Sequence, residues 1–277
     1  MRIATFSRAT MTAGMLALSA CTIAAFPAAA PPAAQIVSVE TFERTVALPS
    51  GGSFSLTNIN GSIEIEGWNR DEVQILAKKI TSGTPSDLNQ VGIVIAPSAG
   101  RVSVSTRYPE GSGVEVNVEF HVRVPARVLL ESVTTVNGSI AVHDVSGAGR
   151  IAAVNGNAVL ARSGGAFSVH ATNGNVSVEL LALDTAVVAA ADRSVTRRGI
   201  SADTVNGTVT LALPEDAGFE LEARTQNGDF SSDRPLLART STSAGRVIHG
   251  HAGDGAVPVY LRTVNGSIRL RISRPLV

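Results

Sequence analysis

The chain has 277 residues, with 23 basic and 23 acidic side chains, one cysteine and 4% aromatic residues. The balanced, dispersed charge offers no basic block for nucleic acid or for an anionic membrane face. The scarcity of aromatics argues against a stacking platform for bases and against a conventional aromatic sugar cleft. A lone cysteine excludes an internal disulfide, so stability must come from packing.

In chain order, residues 1–20 read as an export signal. Arg2 and Arg8 are followed by an uncharged apolar run over residues 11–20, too short to span a bilayer. The run ends in Leu18-Ser19-Ala20-Cys21. This resembles the lipobox of bacterial lipoproteins and implies that Cys21 is acylated. Thr22 follows where Asp would favour the inner membrane, so the resemblance implies the outer membrane. Ordinary cleavage at the Ala-x-Ala pattern of residues 26–30 is the alternative, with a periplasmic product. Residues 21–35 are Ala/Pro-rich and uncharged, a tether, and the folded domain is expected over residues 36–275.

The early part of that domain shows alternating strands over residues 92–96, 101–105 and 114–124, closed by Pro125. Residues 71–80 have helix-like composition, but Val73, Ile75 and Ala77 alternate, which predicts a strand. This half reads as wider β-coils or a sandwich-like cap.

The dominant feature comes next. Seven Asn-Gly pairs punctuate the chain: Asn60-Gly61, Asn137-Gly138, Asn155-Gly156, Asn173-Gly174, Asn206-Gly207, Asn227-Gly228 and Asn265-Gly266. Asn137, Asn155 and Asn173 are spaced 18 and 18 residues apart. Ile140, Ala158 and Val176 follow at one offset from these Asn, and Val142, Leu160 and Val178 at another. Val133, Ile151 and Val169 precede them. Apolar columns at a fixed period are what a stacked solenoid core requires. Both residues of the pair tolerate positive φ, and Asn-Gly is also the strongest short hairpin signal, so a β-meander or sandwich is the rival fold. The later spacings of 33, 21 and 38 residues place irregular insertions at 181–199 and 233–256. Asn227 is the poorest match, with Ser232 where an apolar residue belongs. Three pairs are therefore read as successive corners and the rest as looser or terminal turns. Stacked Asn side chains form an amide ladder in such a fold. Asn-Gly is the dipeptide most prone to deamidation, and ladder-bound Asn155 and Asn173 are expected to react slowly.

The order Thr57 to Trp68, Asp71-Glu72-Val73, Val122 to Pro125 and then the Asn-Gly coils resembles a bacterial envelope family named "putative adhesin", a domain of unknown function. The resemblance spans residues 36–275. It implies a single-stranded β-helix and an exported location, and it brings no catalytic residues.

Candidate chemistry is sparse. His249-x-His251 with Asp254 has ligand-like spacing, but the glycines around it favour a solvated loop. His143 and Glu179 fall two coils apart, too far for an acid/base pair. Asp144, Glu179 and Asp184 are the carboxylates a carbohydrate-active β-helix enzyme would need. Ser163 and Ser168 lack a His/Asp partner in their own column. Gly164-Gly165 is a turn, and Trp68 reads as an anchor for the first coil. The expected function is a non-enzymatic envelope display scaffold that binds a glycan or an envelope protein. It needs no cofactor or metal and binds no nucleic acid. A carbohydrate-active enzyme and an envelope-stress sensing scaffold are the alternatives.

Overall fold

The computed structural model describes residues 37–111, 113–183, 199–241, 245–255 and 257–273. The export signal, Cys21, the tether and Asp184 lie outside the described residues.

The domain is all-β and is built as a solenoid from two stacked columns of strands. The column that enters the Asn-Gly corners runs in the spatial order β5 (Gly92–Ser98), β6 (Arg101–Arg107), β2 (Ser53–Thr57), β8 (Arg127–Asn137), β10 (Ser146–Asn155), β11 (Ala158–Asn173), β13 (Ile200–Asn206), β19 (Val257–Asn265), β15 (Phe219–Asn227), β18 (Arg246–Ala252) and β17 (Leu237–Ser241). The column that leaves the corners runs β1 (Ser38–Ala47), β4 (Glu72–Thr81), β7 (Val116–Pro125), β3 (Ile63–Trp68), β9 (Ile140–His143), the first part of β11, β12 (Val176–Ala182), β14 (Val209–Leu213), β20 (Ile268–Ile272) and β16 (Phe230–Ser232).

Pairing is parallel from β6 to β15 and from β7 to β16, and antiparallel only in the terminal layers. A two-residue hairpin can join only antiparallel neighbours. The corners are therefore steps from one column to the other, and the meander reading falls.

The apolar columns hold register through the stack. Leu56, Val133, Ile151, Val169, Ala202, Leu261 and Ala223 align on one side. Ile63, Ile140, Ala158, Val176, Val209 and Ile268 align on the other, and all of these residues are buried. Each Val, Leu or Ile so buried contributes about 1.5–3 kcal/mol. Branched aliphatics make up most of the core, with Phe54, Phe120, Phe167 and Phe219 as its largest buried side chains.

Spatial order differs from chain order at both ends. The coil holding Asn60 lies between the β6–β7 coil and the coil holding Asn137. The coil holding Asn265 lies between those holding Asn206 and Asn227. The chain overshoots and returns at each end, and within the range 233–256, expected as an irregular insertion, β17 and β18 form an antiparallel layer on β15 of the last coil. The 71–80 region is strand β4, as its alternation indicates.

The near end is blunted against edge-to-edge growth. Lys79 points inward from β4 and is buried. Its Nζ donates to Glu40 Oε1 at 3.2 Å and to the Leu88 carbonyl at 3.1 Å. Edge strand β5 carries Pro97, which cannot donate to a further strand.

Candidate functional site

The corners come first, because they set the spacing of every outward side chain. One amide ladder joins all seven Asn. Asn137 Nδ2 donates to Asn60 Oδ1 at 2.8 Å, Asn155 to Asn137 at 2.9 Å, and Asn173 to Asn155 at 2.9 Å. Asn206 donates to Asn173, Asn265 to Asn206, and Asn227 to Asn265, each at 2.8 Å. The expectation of three corners with looser turns elsewhere understated the repeat. Unequal spacing in sequence comes from excursions between coils, which leave the corner geometry intact.

Positive φ is not what the Asn supply. Among the described residues only Asp144 and Arg162 are non-glycines with positive φ. The Gly are needed for space. A Cβ on Gly156 would lie 2.1 Å from the Gly138 carbonyl oxygen, and one on Gly174 would lie 2.1 Å from that of Gly156. The same holds at Gly61, Gly138, Gly207, Gly228 and Gly266 against the coil before each. Two residues ahead of the Asn, the hydroxyls of Thr135, Thr204, Thr225 and Thr263 donate to a neighbouring glycine carbonyl at 2.8–3.2 Å. Asn58 holds that offset in the first coil. It is buried, donates to the carbonyls of Asn60, Gly61 and Val118, and accepts from Thr106 Oγ1. Sequence reasoning passed over Asn58, although its offset matches the Thr positions.

Outward from this frame, five adjacent strands present two rows of side chains. Arg150, Ser168, Ser201, Tyr260 and Glu222 stand in register five residues before their Asn. Ala152, His170, Asp203, Arg262 and Arg224 stand three before. Together they line a groove of about 790 Å³. Within it Ser201 Oγ donates to Ser168 Oγ at 2.9 Å, and Arg224 Nε donates to Glu222 Oε1 at 2.7 Å. His170 Nδ1 is hydrogen-bonded to Asp203 Oδ2, while Nε2 lies 3.5 Å from Thr172 Oγ1. The row of Ser168 holds no His or Asp, and His170 and Asp203 form their pair in the neighbouring row. The 33-residue step from 170 to 203 hid the pair, but both sit three residues before an Asn. That shared offset is the signal that would have found it.

The Asp203 hydrogen bond raises the His170 pKa above the ordinary imidazole value, with burial opposing and the carboxylate charge assisting. A raised folded pKa stabilises the fold below the unfolded value. The contribution is lost as pH rises through the folded one. Both side chains are about 40% exposed, 42% and 37%, so solvent screens the pair and its contribution is small. In Asp203→Asn the His170 midpoint, followed by ring-proton NMR, should fall back toward about 6.5. An unchanged midpoint would remove Asp203 as the cause.

The other sequence candidates are held elsewhere. Asp144 Oδ1 accepts from Arg162 Nε at 2.9 Å, one coil apart, and this ion pair raises the Arg162 pKa. The two residues occupy matching left-handed corners. Glu179 pairs in register with Ala212, and His143 with Glu66 and Ala161, so His143 and Glu179 do not meet. Ser163 is buried, donating to the Ala161 carbonyl and accepting from the Val145 N–H. Gly164-Gly165 lies within β11, where the strand bends, rather than in a free turn. Trp68 Nε1 donates to the Glu72 carbonyl at 2.8 Å, and its ring lies under the guanidinium groups of Arg70 and Arg123, so it pins the turn between β3 and β4. His249 and His251 are exposed on one face of β18, opposite Glu222 and Glu220. Among the described residues no three His, Cys, Asp or Glu side chains converge as a metal site.

The fold and this face define a class: a β-solenoid that carries a gridded polar surface over a closed aliphatic core. The Toastrack DUF4097 family matches residues 36–271, and the chain belongs to that family. No curated protein matches the sequence. Among solved structures, the chain is similar to a "putative cell adhesion protein" from Clostridium sporogenes, at 11% identity and TM-score 0.41 over 84% of this chain and 100% of the other. It is also similar to a "putative adhesin" from Bacteroides fragilis, at 9% identity and TM-score 0.30 over 83% and 97%. A third is a "putative lipid binding protein" from Parabacteroides distasonis, at 10% identity and TM-score 0.26 over 83% and 96%.

Proposed function

We propose that the protein is a non-enzymatic display scaffold of the bacterial envelope, held to the outer membrane through a lipid on Cys21, and that its grooved face binds an acidic glycan. The groove of Arg150, Ser168, His170, Ser201, Tyr260 and Arg262 carries this reading. Its side chains repeat at the strand spacing of about 4.8 Å across the coils. A glycan chain lying across the strands meets a new hydroxyl, ring or guanidinium at each step. Tyr260 offers one exposed ring for a sugar face. Arg262 and Arg150 suit a carboxylate on the sugar, since guanidinium binds carboxylate through two parallel hydrogen bonds.

The bonding within the groove supports binding over catalysis. The two serine hydroxyls bond to each other, and His170 is held by Asp203 with threonine at its other nitrogen. A nucleophile activated by a base needs contact between the two.

Titration calorimetry with uronate-containing and neutral oligosaccharides tests the binding. Acidic chains should bind more tightly, and Arg262→Ala and Tyr260→Ala should each weaken binding about tenfold, the effect of one good charge-assisted or stacking contact. Equal binding of neutral chains, or full affinity in both variants, would overturn it. For the anchor, Cys21→Ser should move the protein from the membrane to the soluble fraction; a wild type already soluble would end that part of the proposal.

A further inference from the structure

The Asn-Gly ladder has a direction, and that direction leaves one of the seven pairs chemically different. Along the stack, each Gly N–H donates to the Asn carbonyl of the next coil. Gly61 donates to Asn137, Gly138 to Asn155, Gly156 to Asn173, Gly174 to Asn206, Gly207 to Asn265 and Gly266 to Asn227, at 2.8–3.0 Å. Each Asn Oδ1 from Asn60 to Asn265 accepts the side-chain amide of the next coil. Asn227 is the last rung. The antiparallel pairing of β15 with β18 ends at Thr225 and Arg246, short of the corner. Among the described residues nothing donates to Asn227 Oδ1, and the Gly228 N–H donates to no partner. Gly228 is also the only one of the seven glycines that is exposed.

These two groups are the reactants of spontaneous Asn-Gly chemistry. The backbone nitrogen of the glycine, losing its proton to solvent, bonds to the side-chain carbonyl carbon of the Asn. The carbon–nitrogen bond of the side-chain amide breaks and nitrogen leaves as ammonia, which closes a five-membered succinimide. Water then opens the ring at either carbonyl, giving aspartate or isoaspartate with a free carboxylate. The reaction needs an unbonded Gly nitrogen, an accessible Asn side-chain carbon and freedom to rotate the Asn toward it. In six pairs the nitrogen is held by the next coil and the amide oxygen by the next Asn.

We propose that Asn227-Gly228 is the site of deamidation in the folded protein, with water as co-reactant, and that the ladder protects the other six pairs. The product removes the Nδ2 donor that Asn227 gives to Asn265 Oδ1. It also places a new negative charge at the corner where Asp229 is ion-paired with Arg246. Modification therefore begins at the far end of the solenoid and loosens the last rung.

The test is ageing of the folded protein in mildly alkaline buffer, followed by peptide mapping for aspartate and isoaspartate. Arg234 precedes Pro235 and resists trypsin, so the tryptic peptide spans residues 225–239 and contains Asn227 as its only Asn. Asn227 should convert roughly tenfold or more faster than any other pair, and the gap should close in denaturant, where the two hydrogen bonds that hold each interior pair are gone. Hydrogen exchange gives an independent reading: the Gly228 amide should exchange fast and the other six Gly amides slowly. An interior Asn that keeps pace with Asn227 in native buffer, or a protected Gly228 amide, would overturn the proposal.

Discussion

Gly156→Ala is expected to destabilise the protein by about 3 kcal/mol or more, within the range of severe backbone and core changes. The added methyl carbon would lie 2.1 Å from the Gly138 oxygen and 2.5 Å from its carbonyl carbon. Both are backbone atoms of the adjacent coil, so no rotamer change relieves the clash. Relief requires the coils to part, which lengthens the Gly138-to-Asn155 hydrogen bond and the amide ladder beside it. Gly92→Ala is the control. A methyl there meets nothing within 4 Å, and the residue lies on edge strand β5. Chemical denaturation should show a large loss for Gly156→Ala and a change within about 0.5 kcal/mol for Gly92→Ala. Equal effects would mean that the corners are not in contact.

Removing the C-terminal coil should have a still larger effect. A chain ending before Val257 lacks β19 and β20, which lie between the Asn206 coil and the Asn227 coil. Val257, Val259, Leu261, Ile268 and Leu270 leave the core with them. At about 2 kcal/mol each this approaches 10 kcal/mol, comparable with the whole stability of an ordinary domain. In a solenoid each coil is held by its neighbours, so an interior gap disconnects β15 to β18 from the rest of the stack. The truncated protein should lose protease resistance throughout residues 200–252 and melt far below the intact chain. Removal of residues 37–47 takes away only edge strand β1 and should be much milder. If the C-terminal truncation melts like the intact protein, the inserted position of the last coil is wrong.

Much of this architecture is legible in the residues, and the illegible parts have identifiable causes. The 18-residue register of Asn137, Asn155 and Asn173 works because those coils contain no excursion. Residue counting across Asn206, Asn227 and Asn265 fails because the β17–β18 layer and the strand order intervene. Asn227 reads as a poor match because Ser232 occupies an apolar position. In the fold Ser232 bonds to both the N–H and the carbonyl of Arg234, whose guanidinium lies over Phe219 near the end of the stack. Strand β16 is the last of its column and pairs only with β20, so its apolar pattern need not repeat.

The candidate face shows the same division. His143, His249 and His251 attract attention through local spacing, yet they sit singly or face glutamates. His170 and Asp203 attract none, because proximity in a solenoid follows the offset from a corner and ignores separation along the chain.

By itself the sequence determined the all-β class, the stacked coils, the Asn-Gly corners and the absence of an internal disulfide. These follow from local alternation, a short fixed period and residue counts, which a single chain displays directly. Only the tertiary structure decided the order of coils, the pairing of His170 with Asp203, the reason for glycine at each corner and the distinct position of Asn227. Each of these depends on which coil lies above which, and parallel stacking joins segments up to 77 residues apart, as with Asn60 and Asn137.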